Sequence, residues 1–153
     1  MVFSQGYLRE NIIVPQVEEL IGYKFNNKKY CWEALQAKGT NGYLLGNKRL
    51  ALLGDAILRY RLIKAWYPTG SSTEACQNMV SKSVLNTRLG ILGKQIGLDN
   101  FICTNPSQKG NVQDSQVADA MEALVGAVDE DGGEKALDVV MARLGVVSSS
   151  ISK

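Results

Sequence analysis

Apolar residues in this chain recur at intervals of three and four almost throughout, and no stretch alternates apolar with polar over a β-branched run. That periodicity predicts helices and no strands. A short helix is expected over residues 14–21, with Pro15 in its first turn, where a missing N–H costs nothing, and Gly22 as its terminator. A second helix is expected over 28–37, stopped by the turn at 39–42. Residues 47–66 (NKRLALLGDAILRYRLIKAW) carry Leu50, Leu53, Ile57 and Tyr60 at helical spacing, with further apolar residues on the flanks. This helix therefore reads as central and wrapped by others. Pro68 and Gly70 break the chain, and Ser72 or Thr73 then caps a long helix to about residue 96, with Gly90 and Gly93 as weak points. Residues 98–114 form a polar loop with one apolar knot. A helix over 115–128, a turn over 129–133 and a last helix over 134–144, ended by Gly145, complete an all-α fold of five to seven helices.

Composition narrows what such a fold can do. At 153 residues, with 45% apolar and 21% charged, the chain suits one domain with a real core. The expected layout is an N-terminal extension over 1–14, the helical domain over 15–145 and a frayed tail over 146–153. A net charge of +2 neither announces nor excludes a nucleic-acid partner. There is no histidine. Ser-His-Asp and Cys-His catalysis, histidine–zinc sites and histidine-based ribonuclease chemistry are thereby excluded. Hydrolysis would have to use carboxylates, lysines, hydroxyls, thiols or a metal held by oxygen. Cys31, Cys76 and Cys103 form no CxxC pair and read as reduced thiols in an intracellular protein, with cytoplasm or nucleus favoured. No apolar run approaches a membrane span, and residues 1–14 show neither a signal peptide nor a mitochondrial transit pattern.

The candidate chemistry lies where acids interrupt apolar helix faces. Asp119 and Glu122, at i and i+3, point the same way from a turn otherwise made of Val117, Ala118, Ala120, Met121, Ala123, Leu124 and Val125. Asp55 is a lone acid inside LALLGDAIL. Such acids are costly unless something positive meets them. Either each sits at a helix margin or beside an arginine, or the three converge on hard divalent ions that organise phosphate-ester hydrolysis. Arg59, Arg61, Lys64, Lys82, Arg88 and Lys94 read as solvated helix faces, and Trp32 and Trp66 as core or interface.

NKRLALLGDAIL (47–58) resembles the signature helix of the ribonuclease III family, whose typical form is NERLEFLGDAVL. Further matches follow in family order. Residues 20–25 (LIGYKF) are similar to the entry motif LGYxF, and Glu33-Ala34-Leu35 falls at the ALTH segment. Residues 89–102 are similar to LAEIARELGLGEYL, and VADAMEALVGA (117–127) resembles LADALEALIGA, with Asp131-Gly132-Gly133 beyond it. The resemblance covers roughly residues 16–144. It implies an all-helical endonuclease domain that cleaves double-stranded RNA as a homodimer, with Mg²⁺ or Mn²⁺ activating water. Carried over, Asp55, Asp119 and Glu122 are metal ligands, Asp55 and Glu122 are catalytic, and Lys109 contacts RNA; Lys48, where the family has a glutamate, is a further candidate RNA contact of this chain. Glu74 lies near another family acid.

Both glutamates of the family's ERLE are replaced, by Lys48 and Ala51. Position 51 is a ligand position in the family, one turn before Asp55, and alanine offers no oxygen. Weakened metal binding is expected, with improvement in Ala51→Glu. Lys48 is two turns before Asp55, about 10.5 Å of helix rise, and could lean toward residue 51 and offset negative charge there. The alternative function is a catalytically impaired RNA-binding or scaffold module of ribonuclease III type, as in mitochondrial ribosomal relatives. No RNA-binding domain is expected after residue 144.

Overall fold

The computed structural model describes residues 2–40, 42–84 and 86–146. Among the described residues six α-helices follow in order: α1 (Val2–Ile21), α2 (Lys28–Ala34), α3 (Lys48–Trp66), α4 (Thr73–Val84), α5 (Asn86–Gln95) and α6 (Asp114–Leu144). Short 3₁₀ turns lie at Tyr67–Thr69, Leu98–Phe101 and Pro106–Gln108. Among the described residues there is no strand, only isolated bridges such as Gln36 to Cys103. The fold is all-α, as the periodicity predicts.

The helix at the centre is α6, not α3. From Val117 to Val128 all but one of its residues are buried, so its first arm meets neighbours on every side. Its many alanines keep that arm narrow, and glycines bring the neighbours close. A Cβ on Gly54 of α3 would overlap the Glu122 carbonyl oxygen, and one on Gly126 of α6 would overlap the Leu50 carbonyl. The two helices thus touch backbone to backbone. On the other side of α6, Gly93 of α5 lies against the Val117 side chain and Gly90 against the Asp114 backbone. These glycines are close-packing positions in α5 rather than the weak points expected of them.

Helix α3 is two-faced. Leu50, Ala51, Gly54, Leu58 and Leu62 are buried, whereas Leu52, Tyr60, Ile63 and, just past its end, Tyr67 are exposed. The expected face through Leu53, Ile57 and Tyr60 lies between these two: Leu53 and Ile57 are half-buried and Tyr60 is open to solvent.

Other boundaries move for physical reasons. Helix α1 begins at Val2 and keeps Pro15 inside it, so Pro15 does not mark its start. Gly22 ends it as expected, at φ +77°. The long helix expected from residue 73 is two helices, α4 packing on α3 and α5 on α6, because the apolar stripe changes partner. Ser72 caps α4, its Oγ accepting the Ala75 N–H. Helix α6 runs through the expected turn at 129–133 and bends only at Gly133, whose φ of 78° and ψ of −166° no helix can hold. Val146 is buried; residues 147–153 of the expected tail lie outside the described residues.

Two carboxylates fasten the N-terminal part. Glu18 of α1 is buried and accepts from the Phe25 N–H at 2.7 Å and from the Lys28 ammonium at 2.6 Å. Asp131 of α6 accepts from the Tyr23 hydroxyl at 2.6 Å and from the N–H groups of Asn26 and Asn27 at 2.7 and 2.9 Å. It ties the end of α6's first arm to the turn that leads into α2.

Candidate active site

The contact between α3 and α6 builds the acidic site. Gly54 rests on the Glu122 backbone, so the next residue, Asp55, arrives beside the Glu122 side chain. Asp55 and Asp119 thus face Glu122 as like charges within one small site. Burial is the main reason that Glu122 is pushed well above the usual carboxylate range; the nearby Asp55 and Asp119 carboxylates push the same way. The Arg59 guanidinium opposes this only in part. Glu122 is 7% exposed and sits among apolar neighbours.

The other two acids meet cations of the chain itself. The Lys48 ammonium, from the first turn of α3, donates to Asp119 Oδ2 at 2.5 Å. Arg59 Nε donates to Asp55 Oδ2 at 3.0 Å, one turn along α3. Arg59 is therefore not on a merely solvated face, and its i, i+4 spacing from Asp55 is the sequence signal for the pair. Ala51, where the resemblance expects a ligand acid, is buried and offers only a methyl group.

A hard divalent ion needs several oxygen ligands converging on one point. Among the described residues no group of three or more Asp, Glu or Cys side chains is drawn together closely enough to hold an ion. Asp55 and Glu122 meet each other, Asp119 is turned to Lys48, and residue 51 gives nothing. The residues present do not fit the family's metal centre as they are arranged here.

The remaining candidates are dispersed. Lys109 is exposed at φ +50°, followed by Gly110 at φ +80°, in the loop that leads into α6. Glu74 is exposed in the first turn of α4. Trp32 and Trp66 are partly buried against the core. Arg61 pairs with Asp138 and Lys94 with Asp114, so both join helices that pack together. Cys31, Cys76 and Cys103 are all free thiols and buried. No helix among the described residues is long and apolar enough to cross a membrane.

This arrangement has known relatives. The profile of the family described as Ribonuclease-III-like matches residues 27–146. Ribonuclease 3 of Campylobacter fetus subsp. fetus is 32% identical over 136 residues, covering 84% of this chain and 60% of that protein. Ribonuclease 3 of Histophilus somni is 27% identical over 137 residues, with 86% and 59% covered. The chain thus spans about 60% of the length of these curated relatives. In fold it is similar to the nuclease domain of Ribonuclease III from Campylobacter jejuni, with a TM-score of 0.77 at 22% identity, covering 86% of this chain and 95% of that one. An all-helical body of nuclease-domain shape, built around the paired helices that carry Asp55 and Glu122, and a family match over most of the chain together establish that it belongs to the ribonuclease-III-like family.

Proposed function

We propose that this chain is a ribonuclease III-type endoribonuclease domain that acts on double-stranded RNA as a homodimer, with cleavage weakened at its acidic site. The observation that carries the reading is the backbone contact of Gly54 with Glu122, which sets Asp55 and Glu122 side by side. A buried carboxyl set beside a second acid is costly to keep, and a fold that only needed packing would gain by losing it. Divalent metal in this family supplies the charge that phosphodiester hydrolysis needs. Asp55, Asp119 and Glu122 are the acids that remain for it. With their present partners they would not hold an ion in the free protein. Any ion would have to enter with the RNA phosphates, and hydrolysis with Mg²⁺ or Mn²⁺ would be slow.

The homodimer rests on the outer face of α3. Leu52, Tyr60, Ile63 and Tyr67 follow one another at helical spacing, with Leu44 and Leu45 before the helix, and all are exposed. Leu52 is 74% and Tyr67 78% exposed, more apolar surface than a lone domain usually leaves in one stripe. A second copy presenting the same stripe would cover it with twofold symmetry. The similar Campylobacter jejuni nuclease domain is described as having a region involved in dimer formation. Duplex RNA would be held chiefly through phosphates and 2′-hydroxyls, with Lys109 among the contacts, and binding should weaken with salt.

A second reading, an RNA-binding or scaffold module that does not cleave, is favoured by the Lys48–Asp119 pair and by Ala51. One experiment separates them. Purified protein, its mass checked by light scattering as that of two chains, is incubated with long double-stranded RNA in Mg²⁺ and in Mn²⁺, beside Glu122→Gln. Slow cleavage lost in Glu122→Gln supports the enzyme. No cleavage in either ion, with RNA still bound, establishes the scaffold.

A further inference from the structure

The first turn of α3 is an unfavourable place for a lysine. The helix dipole puts partial positive charge there, and the turn contains no acid to offset it. Lys48 is nonetheless the first residue of the helix, and its ammonium reaches across to Asp119 on α6, 71 positions away in sequence. The Asp119 side chain is 21% exposed and Lys48 54%, so the pair lies at the rim of the acidic site, open to an approaching phosphate. Arg59 stands over Asp55 from the same helix. Every solvent-facing carboxylate of the site is therefore already matched by a cation. Ala51 lies three residues after Lys48, on the same side of α3, and fills the one remaining ligand position with a methyl group.

We propose that Lys48 is a built-in counter-ion that takes the place of divalent metal at this site: it holds Asp119 away from Asp55 and Glu122, and lets the domain fold and receive an RNA backbone without a bound ion. An acidic patch with no metal repels phosphate, whereas one neutralised by Lys48 and Arg59 does not. The proposal deepens the proposed function, since it rests on the same acids. It also alters the expectation for Ala51→Glu. A glutamate restored at 51 would sit at i+3 from Lys48 and be captured by it, so that substitution alone restores little. Restoring a metal site requires removal of the lysine as well.

The test reads metal binding without RNA and without activity, by the loss of the free Mn²⁺ resonance in electron paramagnetic resonance and by the Mn²⁺-dependent shift in Tm. The wild-type protein should show no saturable binding up to millimolar Mn²⁺ and no shift in Tm. Ala51→Glu should stay close to wild type. Lys48→Glu/Ala51→Glu should bind Mn²⁺ at least about tenfold more tightly than Ala51→Glu, the scale on which altered partners of metal ligands act. Lys48→Gln, which removes the cation and adds no ligand, should lower Tm in metal-free buffer and regain part of it with Mn²⁺. Circular dichroism checks that each variant folds. Should the double variant fail to fold, Lys48→Gln alone decides. The proposal is overturned by saturable, stabilising Mn²⁺ binding to the wild type, by Ala51→Glu binding as tightly as the double variant, or by a folded variant without Lys48 that gains nothing. Failure to cleave RNA would count against the proposed activity and leave this result untouched.

Discussion

Glu122 and Asp131 are acids on the same arm of one helix, nine residues apart, and the fold treats them in opposite ways. Asp131 is met by three donors, the Tyr23 hydroxyl and two backbone N–H groups. Burial alone would raise its pKa, yet these hydrogen bonds hold its carboxyl below the usual range. Glu122 is more deeply buried, is met by other acids and is pushed the other way. What separates the two carboxyls is burial together with the supply of donors, since they share one arm of the same helix.

The contrast extends to the glycines beside each acid, and breaking them gives the largest expected difference. A Cβ on Gly54 would overlap the Glu122 backbone, which cannot yield without parting α3 from α6. A Cβ on Gly132 would overlap the Tyr23 hydroxyl and crowd the Ala136 Cβ, which side-chain movement can relieve at the cost of the Tyr23–Asp131 hydrogen bond. Urea denaturation should show Gly54→Ala losing about 3 kcal/mol or more, the range of severe overpacking, and Gly132→Ala about 1 kcal/mol. Equal losses would mean that the Glu122 end is no more rigid than the Asp131 end.

Next in size is the acid dependence of Asp131. Its folded-state pKa is lowered, so its stabilisation is present above the unfolded value of about 3.9 and is lost as pH falls through the lower folded value. Asp131→Asn should cost about 1–2 kcal/mol at neutral pH, allowing for its partial exposure. The same variant should lose less stability than wild type between about pH 4 and the acid limit. Parallel stability–pH curves for the two proteins would remove Asp131 from its fastening role. The smallest effect belongs to Glu122→Gln, whose amide can donate to Asp55 without carrying a buried charge. Calorimetry in metal-free buffer should place it within about 1 kcal/mol of wild type, or above it. A clear loss of stability would make Glu122 a structural acid like Asp131.

Much of this was legible in the pattern of residues. The helical class, the acids at Asp55, Asp119 and Glu122, and the apolar helix around residues 117–128 all follow from spacing. Which helix is central did not follow, because α3 is apolar on two sides. Sequence gives the same letters to a face covered by the chain and to one left open, and only the packing shows Leu50 and Leu58 inside with Leu52 and Tyr60 outside. Gly90 and Gly93 were misread for a related reason: a glycine that weakens a helix and one that admits a neighbouring backbone look alike until the neighbour is known. The direction of Lys48 was half-visible. Helix rise places it near residue 51, but its partner Asp119 comes from another helix, and that contact exists only in three dimensions.

The meeting of Gly54 with the Glu122 carbonyl has a consequence for how such a domain changes over time. Because main chain alone sets the spacing of α3 and α6 there, the frame of the site is independent of the side chains that project from it. Residues 48 and 51 can exchange acid for cation or methyl while Asp55 and Glu122 keep their places. A frame of this kind can change the residues of its acidic rim step by step without passing through an unfolded ancestor.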